Sequence, residues 1–205
     1  EYLEDFPNRN DELRYVLTSI MPESKDADFS WSDYQARVNN ELVAIVGNWV
    51  NRVVVLTHKY FDGATPALQS NIGEDELNEI QSKVERVKQL TDDFSFREAQ
   101  AELINIARIG NKYLQETAPW HLIKEENGEE KVASILAASL KMVETFALAC
   151  RPYLPETSDK ILTQINAESG LTEGAILPKA QLLFQKIEDK DIDIQKEKLV
   201  QINSH

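Results

Sequence analysis

The sequence predicts an all-α protein, a helical bundle of about five main helices, and three observations carry this prediction. Apolar residues recur at steps of three and four along most of the chain, which places them on one face of a helix. The alternation of apolar and polar residues that is typical of strands is nearly absent. Only 7 glycines and 7 prolines occur in 205 residues, which leaves room for long helices.

The first helix is predicted to begin at an N-cap, Asn10 or Asp11, and to stop before Pro22. Short polar side chains cap the starts of helices, and proline cannot continue a helix. Its apolar positions recur at helical steps, and they are Leu13, Val16, Leu17 and Ile20. We expect residues 22–31, which follow, to form a linker.

The longest helix is predicted to run from an N-cap at Ser32 to about Tyr60, where Asp62 and Gly63 end it as a C-cap and turn. One apolar stripe follows this helix in steps of three and four residues, so a single face is expected to be buried. The stripe consists of Tyr34, Val38, Leu42, Ile45, Trp49, Val53, Leu56 and Tyr60.

Two further helices are predicted in the middle of the chain. The first begins near Glu74, has a narrow apolar face among dense charges and ends at residues 92–93. The second opens at Ser95, because Ser95 and Glu98 have the spacing of a capping box, and it continues to about Leu114.

The fifth helix, about residues 130–150, is rich in alanine and leucine and is expected to be the most central helix of the bundle. Residues 155–165 are predicted to form a short helix, residues 166–181 a loop, and residues 188–201 a thin, charged terminal helix. No apolar run approaches the ~20 residues needed to span a bilayer, so no membrane partner is expected.

Composition limits the functions that this chain can have. A formal net charge of −13 is unfavourable for binding nucleic acid through bulk positive charge, although a small local surface can still read a few unstacked bases. The single cysteine, Cys150, excludes an internal disulfide and fits a reducing, cytoplasmic compartment. The three histidines, His58, His121 and His205, are scattered, so neither a metal site nor a catalytic constellation is expected.

One candidate binding strip lies on the longest helix. Asn48 and Arg52 are four residues apart, so they lie one above the other on one helix face, and Lys59 continues roughly the same strip. Asparagine and arginine can hydrogen-bond the edge of a splayed base, and arginine also pairs with phosphate. The alternative interpretation is that these are polar residues at the boundary of the apolar face.

A second candidate follows the fourth helix. Pro119 ends that helix and is followed by Trp120, so a large flat indole lies on a proline-stiffened corner, which suits stacking on an unpaired base. The alternative is a tryptophan folded back over the end of the bundle. Trp31 and Trp49 are better explained as core residues.

These two stretches, residues 48–52 and residues 111–120, together resemble the anticodon-reading surface of methionyl-tRNA synthetases. The Phe-Asp-Gly at residues 61–63 and the flanking residues fit the same family. The matching flanks are residues 1–7, 13–17 and 25–31. The resemblance covers the chain to about residue 190.

The resemblance implies a role for each part of the chain. Residues 1–30 look like the stem-contact tail of the catalytic half, residues 31–165 like the anticodon-binding helical bundle, and residues 166–205 like a C-terminal extension. In this family, an asparagine and an arginine read the first anticodon base, a cytosine, while a tryptophan stacks on it. The matching residues are Asn48, Arg52 and Trp120, and the residues that match the surrounding pattern are Asn111, Pro119 and Lys59.

The resemblance also implies a parent enzyme, a cytoplasmic methionine–tRNA ligase that uses ATP with Mg and, in some members, carries Zn in its catalytic half. The partners would be the CAU anticodon loop of methionine tRNA and the catalytic domain in cis, with no DNA. The nucleotide-binding motifs of that half and its zinc-knuckle cysteines do not occur here. We therefore expect no catalytic residue and no cofactor in this chain.

Two alternatives remain open at the level of sequence. The charge of −13 also suits an acidic all-α protein-interaction module without RNA binding. A looser version of the second stretch occurs in other class I synthetases, so the chain could be the anticodon domain of one of those enzymes.

Overall fold

The structure, a computed structural model, describes residues 2–22, 28–68 and 71–202. The described residues contain helices and no strand, apart from an isolated bridge between Ala64 and Ile176, so the all-α class is confirmed. The helices are α1 Tyr2–Asp5, α2 Asn10–Ser19, α3 Trp31–Arg37, a π-helical segment Val38–Gly47, α4 Asn48–Phe61, α5 Glu74–Asp92, α6 Phe96–Thr117, α7 Pro119–Leu122, α8 Gly128–Cys150, α9 Pro155–Gln164 and α10 Asp189–Ile202.

The start of α2 differs from the prediction. The N-cap is Arg9, without a side-chain hydrogen bond, and both Asn10 and Asp11 lie inside the helix. Asp11 is buried, and its Oδ2 accepts a hydrogen bond of 2.7 Å from the backbone N–H of Thr157 in the first turn of α9. This carboxylate therefore satisfies a backbone N–H at the start of α9, a helix that is distant in the chain. The local sequence around Asp11 does not predict this contact.

Two other helix starts also differ from the sequence prediction. Ser30 caps α3, because its Oγ accepts from the backbone N–H of Asp33 at 3.1 Å, whereas Ser32 lies inside the helix. Helix α6 follows Ser95 as predicted, but the Ser95 side chain makes no capping hydrogen bond. Of the predicted linker, residues 23–27 lie outside the described residues.

The predicted longest helix is interrupted by the π-helical segment, and this changes which residues are buried. One row of buried positions recurs at steps of four: Tyr34, Val38, Leu42, Val46, Val50 and Val54. Trp49, Val53 and Thr57 are buried beside this row in α4. A π turn holds more residues than an α turn, so a residue four positions along returns closer to the same face. Val46 is consequently buried, and Ile45, which the sequence places in the stripe, is only half-buried.

Helix α8 lies at the centre of the bundle and packs against α4, α5, α6, α7 and α9. By length and composition alone, this helix is long and apolar enough to cross a membrane. The expectation that no apolar stretch of the chain approaches the length needed to span a bilayer is therefore wrong for α8. In the bundle, however, 72% of its apolar window is buried. The centrality predicted for this helix is confirmed.

The C-terminal extension packs along the π-helical segment. Its buried residues include Ala167, Leu177, Leu183, Phe184, Ile187, Ile192 and Gln195. The Asn39 side chain holds this extension through two hydrogen bonds of 2.9 Å, one accepted from the Ile187 N–H and one donated to the Ile187 carbonyl. The side-chain amide of Asn39 therefore bonds both backbone hydrogen-bonding groups of Ile187.

Trp49 locks three helices together. It is fully buried at the start of α4, and a Cβ on Gly110 of α6 would lie only 2.2 Å from its Cε2. The ring of Phe146 on α8 meets the indole edge-on, with ring centroids 5.8 Å apart. The missing side chain of Gly110 is therefore the space that the Trp49 ring occupies.

We expect Gly110→Ala to lower the melting temperature by roughly 2–12 °C, because overpacking costs about 1–3 kcal/mol and each kcal/mol shifts the melting temperature by about 2–4 °C in a chain of this size. The matched control is Gly47→Ala, also helical, where the nearest atom to a new Cβ is the Leu42 carbonyl oxygen at 3.3 Å. Circular dichroism measures both. Equal melting temperatures for the two variants would contradict this role of Gly110.

Candidate functional site

Arg52 and Trp120 lie against each other. The Arg52 Cζ is 5.2 Å from the centroid of the Trp120 ring, a distance at which a guanidinium is attracted to an aromatic face. Both side chains are half-buried, and Trp120 packs against the edge of the core. The two stretches of sequence, which are far apart in the chain, therefore meet in one site.

The turn before α7 carries Trp120 to this position. Ala118 has a left-handed backbone with φ of 41°, an unfavourable conformation for a residue with a Cβ, and it ends α6. Pro119 is then the first residue of α7, where its missing N–H costs no hydrogen bond, and it is buried. Pro119 thus belongs to the turn beneath the site, and Trp120 is the residue that reaches the surface.

Asn48 is exposed and lies one helical turn before Arg52 on the same face of α4. Lys59 is exposed two turns beyond Arg52, and its Nζ lies 5.2 Å from the centroid of the Tyr60 ring. Asn48, Arg52 and Trp120 therefore form the centre of the site. Lys59 lies at its periphery, near the end of α4.

The side chain of Asn111, which the resemblance places near the binding surface, is bonded to the backbone of the protein itself. Its Nδ2 donates to the Ile45 carbonyl at 2.9 Å and to the Ala107 carbonyl at 3.1 Å, so both amide hydrogens are in use. Ile45 belongs to the π-helical segment just before Asn48. Asn111 therefore ties α6 to the backbone that positions the α4 side chains.

Gln115 is a site residue that sequence reasoning missed. Its Oε1 accepts a long hydrogen bond of 3.5 Å from Arg52 Nη2. It lies on α6 four residues after Asn111, on the same helix face, and this spacing is the signal that could have found it. The guanidinium of Arg52 therefore contacts both Gln115 and Trp120.

The site offers recognition chemistry. An exposed amide, a guanidinium and an indole face can hydrogen-bond a base edge and stack on a base. Among the described residues, no group of three or more histidine, cysteine, aspartate or glutamate side chains could hold a metal ion, and His205 lies outside that part of the chain.

Comparisons with known proteins show the family of this chain. A family model described as the anticodon binding domain of methionyl tRNA ligase matches residues 66–203. The chain belongs to this family. A second model, class I tRNA synthetases (M), matches residues 1–54. The alternative of another class I synthetase is therefore wrong.

Individual relatives cover almost the whole chain. The methionine–tRNA ligase of Phocaeicola vulgatus is 48% identical over 98% of this chain and 31% of its own length. That of Bacteroides fragilis is 49% identical over the same shares of the two sequences. The chain thus spans about a third of the length of the curated relatives it matches.

A solved structure has the same fold. The free-state methionyl-tRNA synthetase of Mycobacterium tuberculosis superposes with a TM-score of 0.80 at 25% identity, over 87% of this chain and 39% of that one. The helical architecture around the site is therefore shared with a methionyl-tRNA synthetase.

We expect Asn111→Ala to reduce the free energy of unfolding by about 1–2 kcal/mol, because it removes hydrogen bonds that join α6 to the π-helical segment. Asn105→Ala is the matched control on the same helix, since the bonds of Asn105 within the described residues join it to neighbours one turn away, Glu102 and Arg108. Urea unfolding followed by circular dichroism measures both variants. A cost for Asn111→Ala no larger than that for Asn105→Ala would show that the bond to Ile45 contributes nothing.

Proposed function

We propose that this chain is the part of a methionine–tRNA ligase that selects the tRNA, by reading the CAU anticodon of methionine tRNA. The observation that carries the proposal is the contact between Arg52 and Trp120, with Asn48 one turn away, in a chain of this family. Residues 31–165 form the reading bundle, residues 1–30 the stem-contact tail, and residues 166–205 the extension that packs on the bundle.

The chemistry follows from the donors and acceptors of the site. Arg52 donates hydrogen bonds to the acceptors on the Watson–Crick edge of the first base, a cytosine, and the Asn48 amide pairs with its remaining groups. Trp120 stacks on the same base. Because Arg52 now covers one face of Trp120, the base either takes the opposite face or displaces the guanidinium.

Selection of this kind acts through differential binding. Each base-edge contact is worth about 1–3 kcal/mol, which favours the correct anticodon over a changed one by about 5- to 150-fold. Stacking on Trp120 adds affinity for whichever base is present. In the complete cytoplasmic enzyme, a catalytic domain in cis attaches methionine with ATP and Mg, and this chain orients the tRNA toward it.

The test uses Trp120→Ala and two fluorescein-labelled RNA hairpins, one with a CAU loop and one with its first base changed. We expect the unmodified chain to prefer the CAU hairpin and the variant to lose that preference, because without Trp120 neither the first base nor the Arg52 guanidinium that reads it is held in place. The matched control is His121→Ala, which removes the exposed neighbouring side chain and should retain the preference. Fluorescence polarisation gives the affinities, and circular dichroism checks the fold.

Two results would contradict the proposal. Equal affinity of the unmodified chain for both hairpins would mean RNA binding without anticodon selection. No binding to either hairpin, even at about 50 mM salt, where phosphate contacts are strongest, would favour the acidic protein-interaction module.

A further inference from the structure

A cavity of about 300 Å³ lies between α9 and the C-terminal extension. One wall is a face of α9, and the other is formed by residues 178–179 and 181–183 of the extension. The residues of the α9 wall are Asp159, Lys160, Thr163 and Gln164. None of the candidate anticodon residues lines this α9–extension cavity. Its volume is at the lower end of the range for ligand sites, which limits the ligand to a small molecule.

The extension wall is fixed on both sides of the cavity. At its start, the His58 ring donates a hydrogen bond of 2.8 Å from Nε2 to the Pro178 carbonyl. At its end, Leu183 and Phe184 are buried in the core. The opposite wall is a regular helix. The cavity is therefore formed before any ligand binds, which lowers the entropic cost of binding.

The charge of the cavity is positive, opposite to the net charge of −13 of the whole chain. The Asp159 carboxylate is paired with Arg151, whose Nη2 lies 3.1 Å from Oδ1, so its charge is balanced. Lys160 and Lys179 are exposed, and no ion pair among the described residues balances their charges. Burial raises the pKa of the nearby Glu12, and the charge of Lys160 only partly opposes this effect. The cavity therefore favours an anion.

Gln164 contributes a buried amide to the cavity. The residue is only 6% exposed, and its Nε2 is buried without a hydrogen-bond acceptor among the described residues. A buried donor without an acceptor is unfavourable, so a ligand oxygen that accepts from this amide stabilises the site. The last torsion of a glutamine side chain is broad, which allows the N–H to turn toward the cavity.

Apolar side chains complete the extension wall. Leu183 is buried, whereas Leu182 is 73% exposed, and Pro178 lines the cavity with them. A ligand with a short apolar group removes the exposed apolar surface of Leu182 from water. The cavity thus combines positive charge, an amide donor and apolar surface.

We propose that the α9–extension cavity binds a small organic acid, a carboxylate that carries a short apolar group. The carboxylate accepts from Gln164 and pairs with the ammonium groups of Lys160 and Lys179. The apolar group covers the extension wall. Inorganic phosphate suits the cavity less well because it has no apolar part. This site is separate from the candidate anticodon surface and does not depend on the proposed function.

Such a ligand joins the extension to the bundle, because it contacts both walls of the cavity at once. It binds the folded chain and not the unfolded chain, so it raises the melting temperature by mass action. At about ten times the dissociation constant of the ligand, we expect a rise of about 3–6 °C.

The test is a titration of the chain with sodium hexanoate, followed by the NMR signals of the Gln164 side-chain amide and of the Leu182 and Leu183 methyl groups. We expect saturable shifts with a dissociation constant of about 1 mM, which is ordinary for a ligand of this size. Hexylamine, with the opposite charge, and inorganic phosphate, without an apolar chain, should bind at least about tenfold more weakly.

Two variants locate the site. Thr163→Trp fills the cavity from α9 and should abolish the shifts caused by hexanoate, and circular dichroism checks its fold. Lys160→Gln/Lys179→Gln should weaken hexanoate binding by about fivefold, because exposed charge pairs contribute modestly. The matched control is Lys186→Gln/Lys190→Gln, which removes two exposed lysines outside the cavity and should leave the affinity unchanged.

Four results would overturn the proposal. Absence of saturable shifts at about twenty times the expected dissociation constant would mean that no such site exists. Equal affinity for hexanoate and the uncharged 1-hexanol would remove the role of the lysines. Equal weakening in the two lysine variants would assign the effect to overall charge. Tighter binding of a Gly-Gly-Leu tripeptide than of hexanoate would assign the cavity to the carboxyl end of a peptide.

Discussion

The contact between Trp49 and Gly110 is the constraint on which the arrangement of the candidate site depends. The Trp49 ring fills the space left by the missing side chain of Gly110, and this fixes α4 against α6. Its buried Nε1 has no hydrogen-bond partner among the described residues, so shape and apolar burial hold the ring in place. Asn48 precedes this tryptophan directly, and Arg52 follows it by three residues. Their placement is therefore set by core packing and not by surface contacts.

The π-helical segment and Asn111 complete this arrangement. The wider turns keep residues four apart on the buried face, so the long helix stays in contact with its neighbours up to Trp49. The two carbonyls bonded by Asn111 join that segment to α6 immediately before the site. Asn111, which the family resemblance places near the recognition surface, thus has a structural role, since it holds the helix that carries Asn48 and Arg52.

The acidic composition and the proposed RNA partner are compatible because charge acts locally. Exposed charges further apart than about 8–10 Å are largely screened at physiological salt, so the distribution matters more than the total. In the described part of the chain, three arginines and two glutamates line a cleft between α2, the start of the long helix and α6, while acidic residues such as Glu129 and Glu130 lie elsewhere on the surface. Net charge alone therefore does not exclude the proposed RNA partner.

The all-α class, most helix limits and the family could be predicted from the sequence, because helical periodicity and capping residues are local signals. Spacing and resemblance also identified Asn48, Arg52 and Trp120 as candidates. The burial of Val46 in place of Ile45, the bond from Asp11 to the start of α9 and the bond between Gln115 and Arg52 became evident only in the folded chain. Each of these depends on a contact between residues distant in the chain, or on a π turn that packing imposes, and a local pattern contains neither.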